Sequence, residues 1–170
     1  MKIFLIGFMG SGKTSLGKQV AQHIKYHHYD LDKIIETKYN TTISEIFSEH
    51  GESYFRKIEH ETLLDILKID YSYILSTGGG TPCFYNNIEL MLKSGLVVYL
   101  KVSNEILYNR LINSNKERPL IKNQDNFSQW LNTKINEREQ FYNKANVIIN
   151  ADNINAEMFV NYLKMLNFQF

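Results

Sequence analysis

The chain has 170 residues, room for one ordinary domain and too little for two. Hydrophobic residues make up 44% and charged residues 22%, which excludes a disordered chain. A net charge of +1 argues against binding a polyanion through bulk charge. Apolar residues 2–6 stop at Gly7, too short a run for a helix, and read as a buried strand. Leu16, Val20 and Ile24 then recur every fourth residue, one face of a helix. Residues 27–31 form the next strand. Thr42 and Glu45 make a capping box, so a short helix starts near Ile43. His50-Gly51 ends it, and a longer helix covers about 52–68. Strands follow at 73–76, 96–101 and 146–150. Helical patterns lie between them at 86–93, 103–111 and 127–142, and the last covers 156–166.

Strands alternating with helices imply right-handed crossovers and a parallel sheet covered on both faces. Ligands of such sheets bind beyond the carboxyl ends of the strands. Two stretches stand apart as excursions, about 33–60 and about 112–125. The second is polar and aperiodic and reads as a mobile loop. Cys83 is the single cysteine, so there is no intrachain disulfide and no thiolate zinc cluster. No apolar run approaches the roughly 20 residues that span a bilayer. The first apolar stretch runs straight into glycines and Lys13, unlike a secretory leader. The cytoplasm is the expected compartment.

The sharpest motif is Gly7-Phe8-Met9-Gly10-Ser11-Gly12-Lys13-Thr14, a complete G-x-x-x-x-G-K-[ST] between a strand and a helix. Glycines let the backbone turn its N–H groups onto a phosphate, and the helix N-terminus adds its positive end. Lys13 reaches the β- and γ-phosphates and faces solvent without nucleotide. Thr14 offers its hydroxyl to Mg²⁺. Asp30-Leu31-Asp32 places two carboxylates two apart at a strand end, on one side of the sheet. One suits a hydrated metal and the other an acceptor hydroxyl. A helix N-cap followed by a solvated charge is the other reading of this pair. Gly78-Gly79-Gly80 suits a close backbone approach to a ligand, or simply a tight turn. Arg138 falls by angle within the apolar stripe Phe127, Trp130, Leu131, Ile135 and Tyr142, so it needs an anionic partner unless it snorkels at the stripe's edge. Glu59, three residues after Arg56, either orients it or forms a surface ion pair. Arg118-Pro119-Leu120 sits in the polar loop, where an arginine can fold over a transferring phosphate. The histidines read as structural and Cys83 as an ordinary thiol.

Taken together and in this order, these motifs resemble the shikimate kinases, as do Phe55-Arg56-Lys57-Ile58-Glu59, Ser76-Thr77 before the glycine triplet, and Tyr142 after Arg138. The resemblance covers nearly the whole chain. It implies a P-loop NTPase fold of the nucleoside-monophosphate-kinase type: one domain over 1–170 with a five-stranded parallel sheet in the order 2-3-1-4-5. Residues 33–60 would be the acceptor-binding lobe and 112–125 the lid. The implied reaction is transfer of the ATP γ-phosphate to the shikimate 3-hydroxyl, on the way to chorismate and the aromatic amino acids. Asp32, Lys13 and Arg118 would be catalytic. Gly10, Ser11, Gly12, Lys13, Thr14 and Ser15 would wrap the phosphates, with Arg118 above them and Arg110 on the adenine beside Asn150-Ala151-Asp152. Asp32, Arg56, Gly78, Gly79, Gly80 and Arg138 would hold shikimate, both arginines on its carboxylate. One Mg²⁺ would sit on Thr14 and, through water, on Asp30. The implied partners are ATP and shikimate alone, with no nucleic acid or membrane, and the chain would act as a monomer.

The sequence departs from the family's commoner patterns at Leu31, Lys57 and Ile121, none of which is a catalytic group. A gluconate kinase is the nearest competing reading, and a non-catalytic nucleotide-binding module the next. A guanine-nucleotide switch is disfavoured because Asn143-Lys144-Ala145-Asn146 lacks the aspartate that reads guanine.

Overall fold

The computed structural model describes residues 1–114 and 126–170. Five parallel strands make one sheet: β1 (Lys2–Ile6), β2 (His27–Asp30), β3 (Tyr73–Ser76), β4 (Leu96–Lys101) and β5 (Val147–Asn150). Their order is β2-β3-β1-β4-β5, as the resemblance implies. β1 is central because it can be: Ile3, Phe4, Leu5 and Ile6 are fully buried, covered by helices on both faces. β5 lies at an edge and alternates buried and exposed residues. Asn146 stays outside it, and its side-chain carbonyl accepts from the Val97 N–H at 2.8 Å.

The helices are α1 (Lys13–Ile24), α2 (Leu31–Tyr39), α3 (Ile43–Leu67), α4 (Asn87–Ser94), α5 (Asn104–Ile112), α6 (Phe127–Tyr142) and α7 (Ala156–Met165). α1 packs on β3 and α7, and α2 on α3. The capping box opens α3 as expected: the Thr42 hydroxyl accepts from the Glu45 N–H, and Glu45 accepts from the Thr42 N–H at 2.8 Å. The two helices expected on either side of Gly51 form one long element broken at that residue, whose φ is 78° and ψ 174°.

One correction concerns the segment after β2. The strand ends at Asp30, and α2 begins at once, where the sequence suggests only an excursion. Asp30 is its N-cap, accepting from the Lys33 N–H at 3.2 Å, and Leu31 and Ile35 supply a buried stripe. The polar loop assigned to 112–125, with Arg118, lies outside the described residues from 115 onward.

Candidate active site

The phosphate loop runs from β1 into α1. Gly7, Gly10 and Gly12 have φ values of 140°, 83° and 89°, which a side chain would resist. At Gly7 a Cβ would also come within 2.8 Å of the Leu100 carbonyl. Lys13 corrects the expectation of a solvent-facing side chain, since it is only 7% exposed. Its ammonium donates to the Gly7 and Phe8 carbonyls, each at 2.9 Å. A buried ammonium has three protons to place, and the turned loop supplies carbonyls at the right reach. Arg110 on α5 donates to the Gly10 carbonyl at 3.1 Å and to the Asp152 carbonyl at 3.4 Å. The loop, Arg110 and the segment after β5 therefore meet.

Thr14 and Asp30 also meet. The hydroxyl donates to Asp30 Oδ2 at 2.6 Å, while Oδ1 caps α2. Asp30 is thus the helix N-cap that the second reading of the pair expects, with its other oxygen on Thr14. Asp32 needs a correction in its placement. It does not follow Asp30 along a strand but sits in the first turn of α2, because the N-cap turns the chain at Asp30. It still reaches the glycine triplet: a Cβ at Gly78 would lie 3.0 Å from Asp32 Oδ1 and 2.8 Å from Glu59 Oε1. Burial, then the charges of Glu59 and Asp30, push the Asp32 carboxyl up to about 6.

Glu59 is fully buried, so the reading of a surface ion pair does not apply. Its Oε2 accepts from Arg56 Nη1 at 2.8 Å and its Oε1 from the Thr81 hydroxyl at 2.6 Å. Arg56 also donates from Nε and Nη2 to Glu52, at 3.1 and 2.9 Å. Rings of Phe84 and Phe55 flank it, 4.6 and 5.0 Å from the guanidinium carbon. Burial opposes its charge, but Glu59 and Glu52 outweigh that and raise its pKa. Gly80 has no room for a side chain, since a Cβ would lie 2.5 Å from Arg56 Nη2.

Arg138 points inward, as its angle on α6 predicts, and is 9% exposed. Phe8 lies 5.1 Å from its guanidinium carbon. Its Nη1 is buried with no hydrogen-bond partner among the described residues. A Cβ at Gly79 would stand 3.5 Å from that nitrogen. The triplet backbone therefore runs against Arg56 at one glycine and Arg138 at the next. Burial pushes the Cys83 thiol up to about 11, which leaves it a poor nucleophile, as the sequence suggests.

Sequence reasoning missed the roles of Glu52, Thr81 and Tyr142. Glu52 was findable, four residues before Arg56 on the same helix face. Thr81 and Tyr142 were not, because their contacts join distant segments.

A parallel sheet with a lysine-bearing phosphate loop and buried guanidinium groups at the same end defines a P-loop kinase for a small molecule. The family model described as Shikimate kinase matches residues 9–167. A shikimate kinase of Azobacteroides pseudotrichonymphae is 43% identical, the match covering 86% of this chain and 88% of that one. The crystal structure of the Bacteroides thetaiotaomicron shikimate kinase superposes with a TM-score of 0.89 at 36% identity, covering 98% of both chains. An Acinetobacter baumannii shikimate kinase solved in complex with shikimate also gives 0.89, at 31% identity, covering 98% of this chain and 92% of that one. This chain belongs to the shikimate kinase family, whose members phosphorylate shikimate to 3-phosphoshikimate at the expense of ATP. Family membership implies Mg²⁺-ATP as the phosphoryl donor. No helix among the described residues is long and apolar enough to cross a membrane.

Proposed function

We propose that the acceptor, shikimate, is held by its carboxylate between Arg138 and Arg56, with Gly78, Gly79 and Gly80 along its side and Asp32 at its reacting hydroxyl. The observation that carries this reading is the buried, unpartnered Nη1 of Arg138 beside Gly79. A buried guanidinium nitrogen without an acceptor is costly, and a ligand carboxylate relieves that cost.

Gly10 to Ser15 bind the ATP phosphates, and Lys13 exchanges its loop carbonyls for the β- and γ-phosphates. Arg110 is at the adenine side, near Asp152. Thr14 and Asp30 present hard oxygen donors beside the loop, which suits one Mg²⁺ held directly by Thr14 and through water by Asp30. When bound, that ion neutralises charge on the phosphate oxygens. Arg118 is assigned to the phosphates from its motif alone.

In the reaction the 3-hydroxyl oxygen bonds to the γ-phosphorus while the bond to the β–γ bridging oxygen breaks, and ADP leaves with that electron pair. The transition state is loose, so the hydroxyl gives up its proton late. Asp32 orients the hydroxyl and receives the proton. At neutral pH a carboxyl titrating at about 6 is mostly ionised and able to accept it. The chain works in the cytoplasm as a monomer, without nucleic acid or membrane.

The direct test is product formation by purified protein with Mg²⁺-ATP, offered shikimate and gluconate separately. Turnover of shikimate alone is expected, and turnover of gluconate alone refutes the assignment. In the same assay Asp32→Asn should lower kcat by roughly 10²–10⁴-fold, the usual reach of a positioned base. Calorimetric shikimate affinity should change little, because both arginines remain. A near-normal kcat removes Asp32 from the chemistry.

A further inference from the structure

Tyr142 follows Arg138 by one turn of α6 and is fully buried. Its ring lies against Tyr99, with centroids 5.0 Å apart. Its hydroxyl donates to the Gly79 carbonyl at 2.6 Å. Burial pushes the phenol far above its usual range, so it remains a proton donor at any physiological pH. The reaction outlined above does not use it.

The bond acts on the middle of the glycine triplet, where no side chain can steady the backbone. A peptide unit is planar and trans, so the Gly79 carbonyl and the Gly80 N–H point in opposite directions. Holding that carbonyl on Tyr142 therefore turns the Gly80 N–H away from the Tyr142 hydroxyl. Among the described residues neither the Gly79 nor the Gly80 N–H has a hydrogen-bond acceptor. Neighbouring turns of the triplet are satisfied internally: Thr81 N–H donates to Gly78 and Cys83 N–H to Gly80. One open donor, the Gly80 N–H, thus lies in the peptide that a buried phenol fixes, and the other, the Gly79 N–H, in the peptide before it, between the glycine against Arg138 and the glycine against Arg56.

We propose that Tyr142 is a positioning residue, which locks the Gly79–Gly80 peptide so that its N–H meets the anionic acceptor held by Arg138 and Arg56. Because α6 carries Tyr142 and Arg138 one turn apart, a single helix sets both the charged and the backbone half of the acceptor's seat. The proposal rests on the acceptor-site reading given above.

The test compares wild type, Tyr142→Phe and a variant with 4-aminophenylalanine at position 142, which keeps the ring and restores an N–H donor. Tyr142→Phe should raise the shikimate KM and calorimetric Kd by roughly 10-fold, with the ATP KM within about twofold of wild type. The amino variant should recover most of that loss. A merely structural tyrosine would move both substrates' constants together, or neither, and either result overturns the proposal. A second measurement needs no variant: in wild-type protein, shikimate should shift the Gly80 amide proton downfield and slow its exchange. An unmoved Gly80 amide in a protein that binds shikimate refutes the positioning role. Failure of the wild type to bind shikimate refutes instead the reading of the acceptor site.

Discussion

Arg56 and Arg138 are both buried at the glycine triplet, yet their surroundings are opposite. Arg56 is already ion-paired, with Glu52 on one edge, Glu59 on another and aromatic rings on its faces. Arg138 rests on Phe8 and leaves Nη1 without an acceptor. One arginine is therefore part of the fold's internal charge balance, and the other is kept for something that arrives. The difference teaches that two residues sharing a ligand need not share an energetic role. Arg56 is bound into the architecture first, whereas Arg138 holds the unspent attraction.

The largest expected break in that comparison is Arg56→Met. It leaves Glu59 buried and unpaired, and should cost about 3–5 kcal/mol of stability at neutral pH. Denaturant melts of the two proteins check this, and a loss below about 1 kcal/mol would contradict it.

Arg138→Met should do the reverse. The shikimate KM should rise about 100-fold, the scale of one charge-assisted bidentate contact. Stability should stay within about 1 kcal/mol of wild type or improve, because an unpartnered buried group is removed. Urea melts beside steady-state kinetics separate the two effects, and a large stability loss with an unchanged KM would make Arg138 structural.

The smallest effect sharpens the Arg56 side. Glu59 is, after burial, the leading cause that raises the Asp32 carboxyl. Glu59→Gln should therefore lower the pH at which Asp32 ionises from about 6, extending activity to lower pH. Below that pH Asp32 is protonated and cannot receive the hydroxyl proton. The acidic limb of kcat/KM against pH measures the shift, and an unmoved limb would uncouple the two carboxylates.

How much of this was legible in the sequence varies with the reach of the interaction. The phosphate loop is local: strand, glycines, lysine and helix follow in order, and the chain folds as they read. The inward turn of Arg138 followed from its angle within an apolar stripe, because helix geometry is periodic. Its lack of a partner did not, since that depends on what other segments fail to supply. Asp32 was expected just past a strand end and lies in the first turn of a helix, because Asp30 serves as a cap and Leu31 and Ile35 begin a buried face. The reading of a solvent-facing Lys13 ignored the carbonyls that a tight loop must turn somewhere. The strand order came from family resemblance alone, as alternation of elements permits several orders.

The inward fold of Lys13 has a consequence for nucleotide capture. Its ammonium is already out of water and its chain already in one conformation. An arriving triphosphate does not have to dehydrate that ammonium afresh or gather a fluctuating side chain from solvent. It exchanges one set of oxygens for another around a charge that folding has already dehydrated. Much of the entropic penalty of organising the donor side is thereby met before ATP arrives, so recognition there becomes a substitution of partners rather than an act of ordering.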